Sequence, residues 1–175
     1  MKIINKNSSI CVLITLLVFS RLIPHPPNFT PIISITILSS ILFQTFLITL
    51  MVFLLSMFVS DLIIGLYPNM VFTYVTLMII GILFYYFFNK ISYRNLVLYS
   101  FLGSLIFYLI TNFFFWINSN IYEHSFNGLI QCYILAIPFF TNTIVSTIFF
   151  SFLTLFCVNK IKKYYYKIED DKITI

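Results

Sequence analysis

Residues 31–59 read PIISITILSSILFQTFLITLMVFLLSMFV, 29 positions without a Lys, Arg, Asp or Glu. As one helix they would rise about 43 Å at 1.5 Å per residue, well beyond a hydrocarbon core of about 30 Å. Split in two, each half covers only about half of that. Whether this stretch crosses the membrane once or turns back decides the helix count, and the charges on its flanks decide the matter.

The basic residues sit in small groups beside apolar runs: Lys2 and Lys6, then Lys90 and Arg94, then Lys160, Lys162, Lys163 and Lys167. Cytoplasmic connections collect Lys and Arg, so the N-terminus, the 90–94 loop and the C-terminus are all expected in the cytoplasm. The apolar runs cover 9–23, 31–59, 62–88, 96–117 and 129–158. The first helix then exits, leaving 21–31 outside, and the helix ending at Phe88 must enter from outside, which places 61–69 outside as well. An even number of crossings has to lie within 31–59. A tilted or partly re-entrant hairpin turning near Gln44 and Thr45 meets that requirement. The expected fold is an all-α, polytopic bundle of six transmembrane helices with both termini cytoplasmic. The alternative is five helices with one long tilted span, which puts Lys2 and Lys6 outside. Residues 118–141 are expected outside or at the outer interface, with Pro138 breaking the segment and leaving Phe139 and Phe140 near that interface.

Composition agrees with a membrane solvent. Of 175 residues 61% are hydrophobic and 9% charged, with a mean hydropathy of +1.02, whereas a soluble domain carries about a quarter charged residues. A porin-like barrel needs segments of about 10 residues alternating in polarity, and this chain has continuous apolar runs instead. The net charge of +5 is spread over topology signals, so no nucleic-acid partner is expected. The lipid bilayer is the first partner, and a multi-pass place in the cell (inner, cytoplasmic) membrane follows from the cytoplasmic lysines. Residues 1–160 read as a single transmembrane domain and 161–175 as a short charged cytoplasmic tail. The first helix is expected to stay uncleaved, because Arg21 directly follows a poor small-residue signature. Cys11, Cys132 and Cys157 are widely spaced in apolar surroundings and read as buried thiols.

A polar side chain inside the membrane is expensive and calls for a partner, a cavity or a function. Asp61 is the only acid in the first 122 residues; it could pair with Arg21, cap a helix together with Ser60, or face a ligand. His25 and Asn28 lie in a connection stiffened by Pro24, Pro26, Pro27 and Pro31, which can hold them over a cavity. Tyr108, Asn112 and Trp116 recur every four residues and share a helix face; Pro138, Asn142 and Ser146 form a second stripe of the same spacing. Between the stripes lie Tyr122-Glu123-His124, Gly128 and Gln131-Cys132-Tyr133. The substrate-binding candidates are therefore His25, Asn28, Asp61, Asn112, Trp116, Tyr133 and Asn142, gathered toward an outward-facing pocket. With no phosphate loop, HExxH, GxSxG or catalytic dyad, no enzyme, cofactor or metal site is expected.

Four strings taken together, RLIPHPPNFTPI from Arg21, SDLIIG from Ser60, NFFFW from Asn112 and GLIQCY through AIPFFTNT from Gly128, resemble an uncharacterised bacterial integral-membrane family that is similar to the substrate-binding S components of energy-coupling factor (ECF) transporters. The resemblance spans nearly the whole chain. It implies a six-helix subunit that binds a vitamin or other micronutrient from outside and docks on an energising module, a transmembrane coupling subunit plus ATPases. The competing expectation is a membrane scaffold or morphogenesis-type subunit without a ligand.

Overall fold

The computed structural model describes residues 14, 15, 17–43, 45–87 and 92–173. Lys2, Lys6, Cys11, Gln44 and Lys90 lie outside the described residues, as do positions 9–13 and 16 of the first apolar run. Six helices follow one another without a described strand: α1 (14, 15 and 17–22), α2 (Ile32–Phe43), α3 (Phe46–Ile64), α4 (Met70–Phe87), α5 (Tyr93–Asn118) and α6 (Phe126–Ile173). Four of them, α3 to α6, are long and apolar enough to cross a membrane.

The chain breaks between Phe43 and Phe46, so the stretch 31–59 is a hairpin and the single tilted span is ruled out. Thr49 Oγ1 donates to the carbonyl of Ser39 at 3.2 Å, and Ile35 packs with Val52; both pairs require α3 to fold back on α2. The alternation continues. Phe53 lies against Gly81 and Asp61 reaches Tyr74, Phe72 stacks on Phe114 while Phe84 meets Tyr99, and Ser104 and Ser100 face Thr147 and Ser151. Each neighbouring pair from α2 to α6 is thus antiparallel, and the connections 65–69 and 119–125 fall at one end of the bundle.

Local signals set the ends. Gly65 closes α3 with φ of +113°, a conformation only glycine takes without strain, and its N–H donates to the Asp61 carbonyl at 2.9 Å. Ser92 caps α5 by accepting from the Asn95 N–H at 3.2 Å. Polarity is inverted relative to a soluble protein: along α3, Thr49, Ser56, Ser60 and Asp61 are buried while Leu47, Met51, Leu55, Phe58 and Leu62 are exposed. That is the pattern of a helix whose outside is lipid.

At 12 residues α2 rises only about 18 Å. It lies at the centre, touching α3, α4, α5 and α6, with Ile33 through Ser40 all buried. Its hydroxyls are matched internally, Ser34 to the Pro31 carbonyl at 2.7 Å and Ser40 to the Thr36 carbonyl at 2.6 Å. Glycines let the neighbours close in: a Cβ on Gly103 would meet Ile37 at 2.9 Å and Ile33 at 3.0 Å. On the other flank of α5, Ser100 and Ser104 lie 3.4 and 3.3 Å from Ser151 and Thr147, small residues at four-residue spacing that bring two membrane helices together.

Two expectations need correction. Pro138 does not break the last segment: α6 runs as one helix through it, so within 118–141 only 119–125 is a connection, and Phe140 stacks on Tyr108 inside the bundle at 4.6 Å. Membrane helices tolerate an interior proline because neighbouring elements compensate the freed backbone groups. Of the cysteines, Cys132 is buried as expected but Cys157 is exposed.

Overpacking the α2–α5 contact tests this arrangement. Gly103→Leu drives a branched side chain into Ile33 and Ile37 and is expected to lower stability by about 1–3 kcal/mol, read as a lower melting temperature in detergent. Leu98→Ala on the exposed face should leave it nearly unchanged.

Candidate functional site

The only buried charges among the described residues meet where α1, α3 and α4 converge. Arg21, in the last turn of α1, places Nη2 2.6 Å from Asp61 Oδ1, with side chains 12% and 0% exposed. Its Nη1 donates to Ser60 Oγ and to the Met57 carbonyl. Tyr74 of α4 donates its hydroxyl to Asp61 Oδ2 at 2.7 Å. Asp61 therefore neither N-caps a helix nor belongs to the 65–69 connection; α3 continues for one more turn and carries the carboxylate into the bundle. A buried ion pair is tolerable when both partners are also hydrogen-bonded, and Ser60, Met57 and Tyr74 supply those bonds.

Next to this cluster, between α4, α5 and the 65–69 connection, lies a cavity of about 400 Å³ lined by Tyr67, Phe72, Thr73, Thr111, Asn112 and Phe115, with Pro68 and Asn69 at its edge. Its walls offer aromatic faces and neutral donors and acceptors. Tyr67 is partly exposed, yet burial pushes its hydroxyl above the ordinary tyrosine range; the hydrogen bond with Thr73 pulls the other way and the Asp61 carboxylate adds to the rise. The ion pair and the cavity are thus electrostatically in touch.

Of the seven candidates from the sequence, Asp61 and Asn112 come to this region. Asn112 lines the cavity, although its Nδ2 donates to the Tyr108 carbonyl one turn back at 2.8 Å. The others are placed elsewhere. His25 is exposed, with Nδ1 2.6 Å from the Ile23 carbonyl. Asn28 adopts a left-handed φ of 62° and offers its carbonyl to Ser146 at 3.4 Å. Asn142 donates Nδ2 to the Pro27 carbonyl at 3.1 Å. These last two contacts reposition the proline-rich connection: Asn142 stands sixteen residues beyond Phe126, about 24 Å down α6, so the 23–31 loop is recessed into the bundle and pinned to α6 instead of spanning the rim. Trp116 donates Nε1 to the Glu123 carbonyl at 2.9 Å, closing the 119–125 connection. Gly128 is needed there because a Cβ would fall 2.0 Å from that same carbonyl. Tyr133 donates to the Leu109 carbonyl at 2.6 Å while Tyr108 donates to the Tyr133 carbonyl at 2.6 Å, a reciprocal clasp between α5 and α6.

Sequence reading misses Tyr74, Tyr67 and Thr73. Their signal is weak, since twelve tyrosines are scattered through the chain, but hairpin geometry brings residue 74 opposite residue 61 once α3 and α4 are antiparallel.

A polytopic helical membrane protein with a buried ion pair beside a cavity at one end of its bundle is the class these features define. The chain belongs to a family of unknown function, DUF6580, which it matches over residues 1–168. No curated protein and no solved structure matches it.

Removing one partner of the pair leaves a buried charge. Arg21→Met is expected to cost about 3–5 kcal/mol, while Arg21→Met with Asp61→Leu should regain most of that loss. Unfolding of Arg21→Met, Asp61→Leu and the double variant in detergent checks it; a double variant that loses the sum of the two single losses would show that the pair is not coupled.

Proposed function

We propose that the protein is the substrate-binding subunit of a small-molecule uptake transporter, resembling the S components of ECF transporters, and that it takes a vitamin- or micronutrient-sized compound from the outer face. One observation carries the reading: the 400 Å³ cavity opens at the end of the bundle that also holds the Arg21–Asp61 pair. Its volume lies in the range of small-molecule sites, about 300–1,000 Å³. Arg94 and Lys160 mark the opposite end, and the charge rule makes that end cytoplasmic, so the cavity faces outward and the host is the cell membrane. Asn112, Thr73 and Tyr67 supply polar contacts, Phe72 and Phe115 supply apolar ones, and the role is binding without catalysis. A coupling subunit with its ATPases is the partner this role requires.

A second reading is favoured by the way most candidate side chains are used. Trp116, Tyr133, Asn142 and His25 all engage the chain's own carbonyls, as expected of a membrane scaffold whose polar groups hold helices together. Copurification separates the two, with ATPases supporting uptake and cell-wall or cytoskeletal partners supporting a scaffold.

Protein purified from rich medium into lipid nanodiscs should retain a small molecule detectable by native mass spectrometry. Asn112→Leu, which removes a donor and fills space, is expected to weaken retention about fivefold to 150-fold, the effect of about 1–3 kcal/mol for an unpaired buried group. Wild type and Asn112→Leu carrying the same small molecules to the same extent would refute the cavity as the binding site.

A further inference from the structure

On the lipid-facing side of α6, Val145, Ile148, Phe149, Phe152, Leu153 and Phe156 recur at three- and four-residue steps and form one stripe. Tyr93, the first residue of α5, walls one side of it, its ring stacked on Phe152 with centroids 5.5 Å apart and planes 20° from parallel. Together they make a shallow groove of about 640 Å³. Tyr93, Val145, Phe149 and Phe156 are each about half exposed in it. From Val145 to Phe156 the groove follows α6 for about 16 Å, half the thickness of a hydrocarbon core.

One end of the groove is cationic. Arg94 follows Tyr93 and is exposed, and Lys160, also exposed, holds Nζ 5.5 Å from the centroid of the Phe156 ring. The acids whose side chains are described, Asp61 and Glu123, both lie toward the other end of the bundle. An ordinary lipid-facing helix surface is convex and meets acyl chains in passing. A concave apolar seat with cations at one end instead matches a molecule that is apolar along its length and anionic at its head.

We propose that this α5–α6 groove is a binding site for an anionic phospholipid, with an acyl chain along the Val145–Phe156 stripe and the phosphate between Arg94 and Lys160. The site is separate from the cavity beside Asp61 and stands or falls independently of the uptake reading. Each cation near anionic lipid contributes a factor of about five, so two give about a twenty- to thirtyfold preference over a zwitterionic lipid.

The full chain, exchanged into mixed micelles of detergent with phosphatidylglycerol and phosphatidylcholine, is read by native mass spectrometry for retained lipid. Wild type is expected to keep phosphatidylglycerol with that preference. Arg94→Gln with Lys160→Gln should abolish the preference while phosphatidylcholine retention stays unchanged, which shows that the fold survives. Phe149→Trp, which fills the groove without touching charge, should lower phosphatidylglycerol retention. Lys2→Gln with Lys6→Gln removes the same net charge without altering Arg94 or Lys160 and should have no effect. If the Lys2 and Lys6 variant weakens retention as much as the Arg94 and Lys160 variant, the attraction is diffuse and the site does not exist. If wild type carries no lipid preference the proposal is wrong, and if it forms a dimer that Phe149→Trp dissociates, the groove belongs to a second copy of the chain and the proposal is equally wrong.

Discussion

Inside a bilayer no water is at hand to finish a hydrogen bond, so donors and acceptors placed there must be matched from within the protein. The arrangement of this chain follows from that constraint. Its centre is filled by α2, whose serines and threonines give their hydroxyl protons to carbonyls of their own helix or, as with Ser40 and Gly81, of a neighbour. The single buried carboxylate is met by a guanidinium and a phenol. The apolar side chains that a soluble fold would hide are turned outward along α3 and α6 instead.

The same constraint ties the loops to the helices. A helix of 12 residues cannot reach across the membrane, so the connection preceding it is drawn below the rim, and its exposed carbonyls need donors at that depth. Asn142 and Ser146 supply them. This is why polar residues that look like a binding stripe serve as fasteners. The ion pair plays a comparable role for α1, joining its last turn to α3 and, through Tyr74, to α4.

Length and charge parity suffice to place the break between α2 and α3, since 29 uncharged residues overshoot one crossing and the flanking lysines demand an even count. The Arg21–Asp61 contact is legible only as one of three options, because the sequence equally allows Asp61 to cap a helix or to face a ligand. What pattern alone does not reveal depends on register. Tyr74 is indistinguishable from other tyrosines until α4 is laid against α3. Pro138 reads as a stop because in water an interior proline usually is one, whereas α6 carries it within a packed bundle. The depth of the 23–31 loop depends on the shortness of α2, which an unbroken apolar run conceals. Of the seven candidates only Asp61 and Asn112 reach the cavity region, and Asn142 lies well down α6 against the 23–31 loop.

The alternation of direction that begins with the α2–α3 hairpin underlies the placement of the ion pair, the cavity and the basic end. It is tested most directly by replacing Cys11, Cys132 and Cys157 with serine and introducing single cysteines at His25, Pro68, Asn120 and Ser92, then labelling intact cells with a membrane-impermeant maleimide. Positions 25, 68 and 120 should react in intact cells, and position 92 only after permeabilisation. Reaction of positions 68 and 92 from the same side, or of 25 and 68 from opposite sides, would contradict the six-helix arrangement.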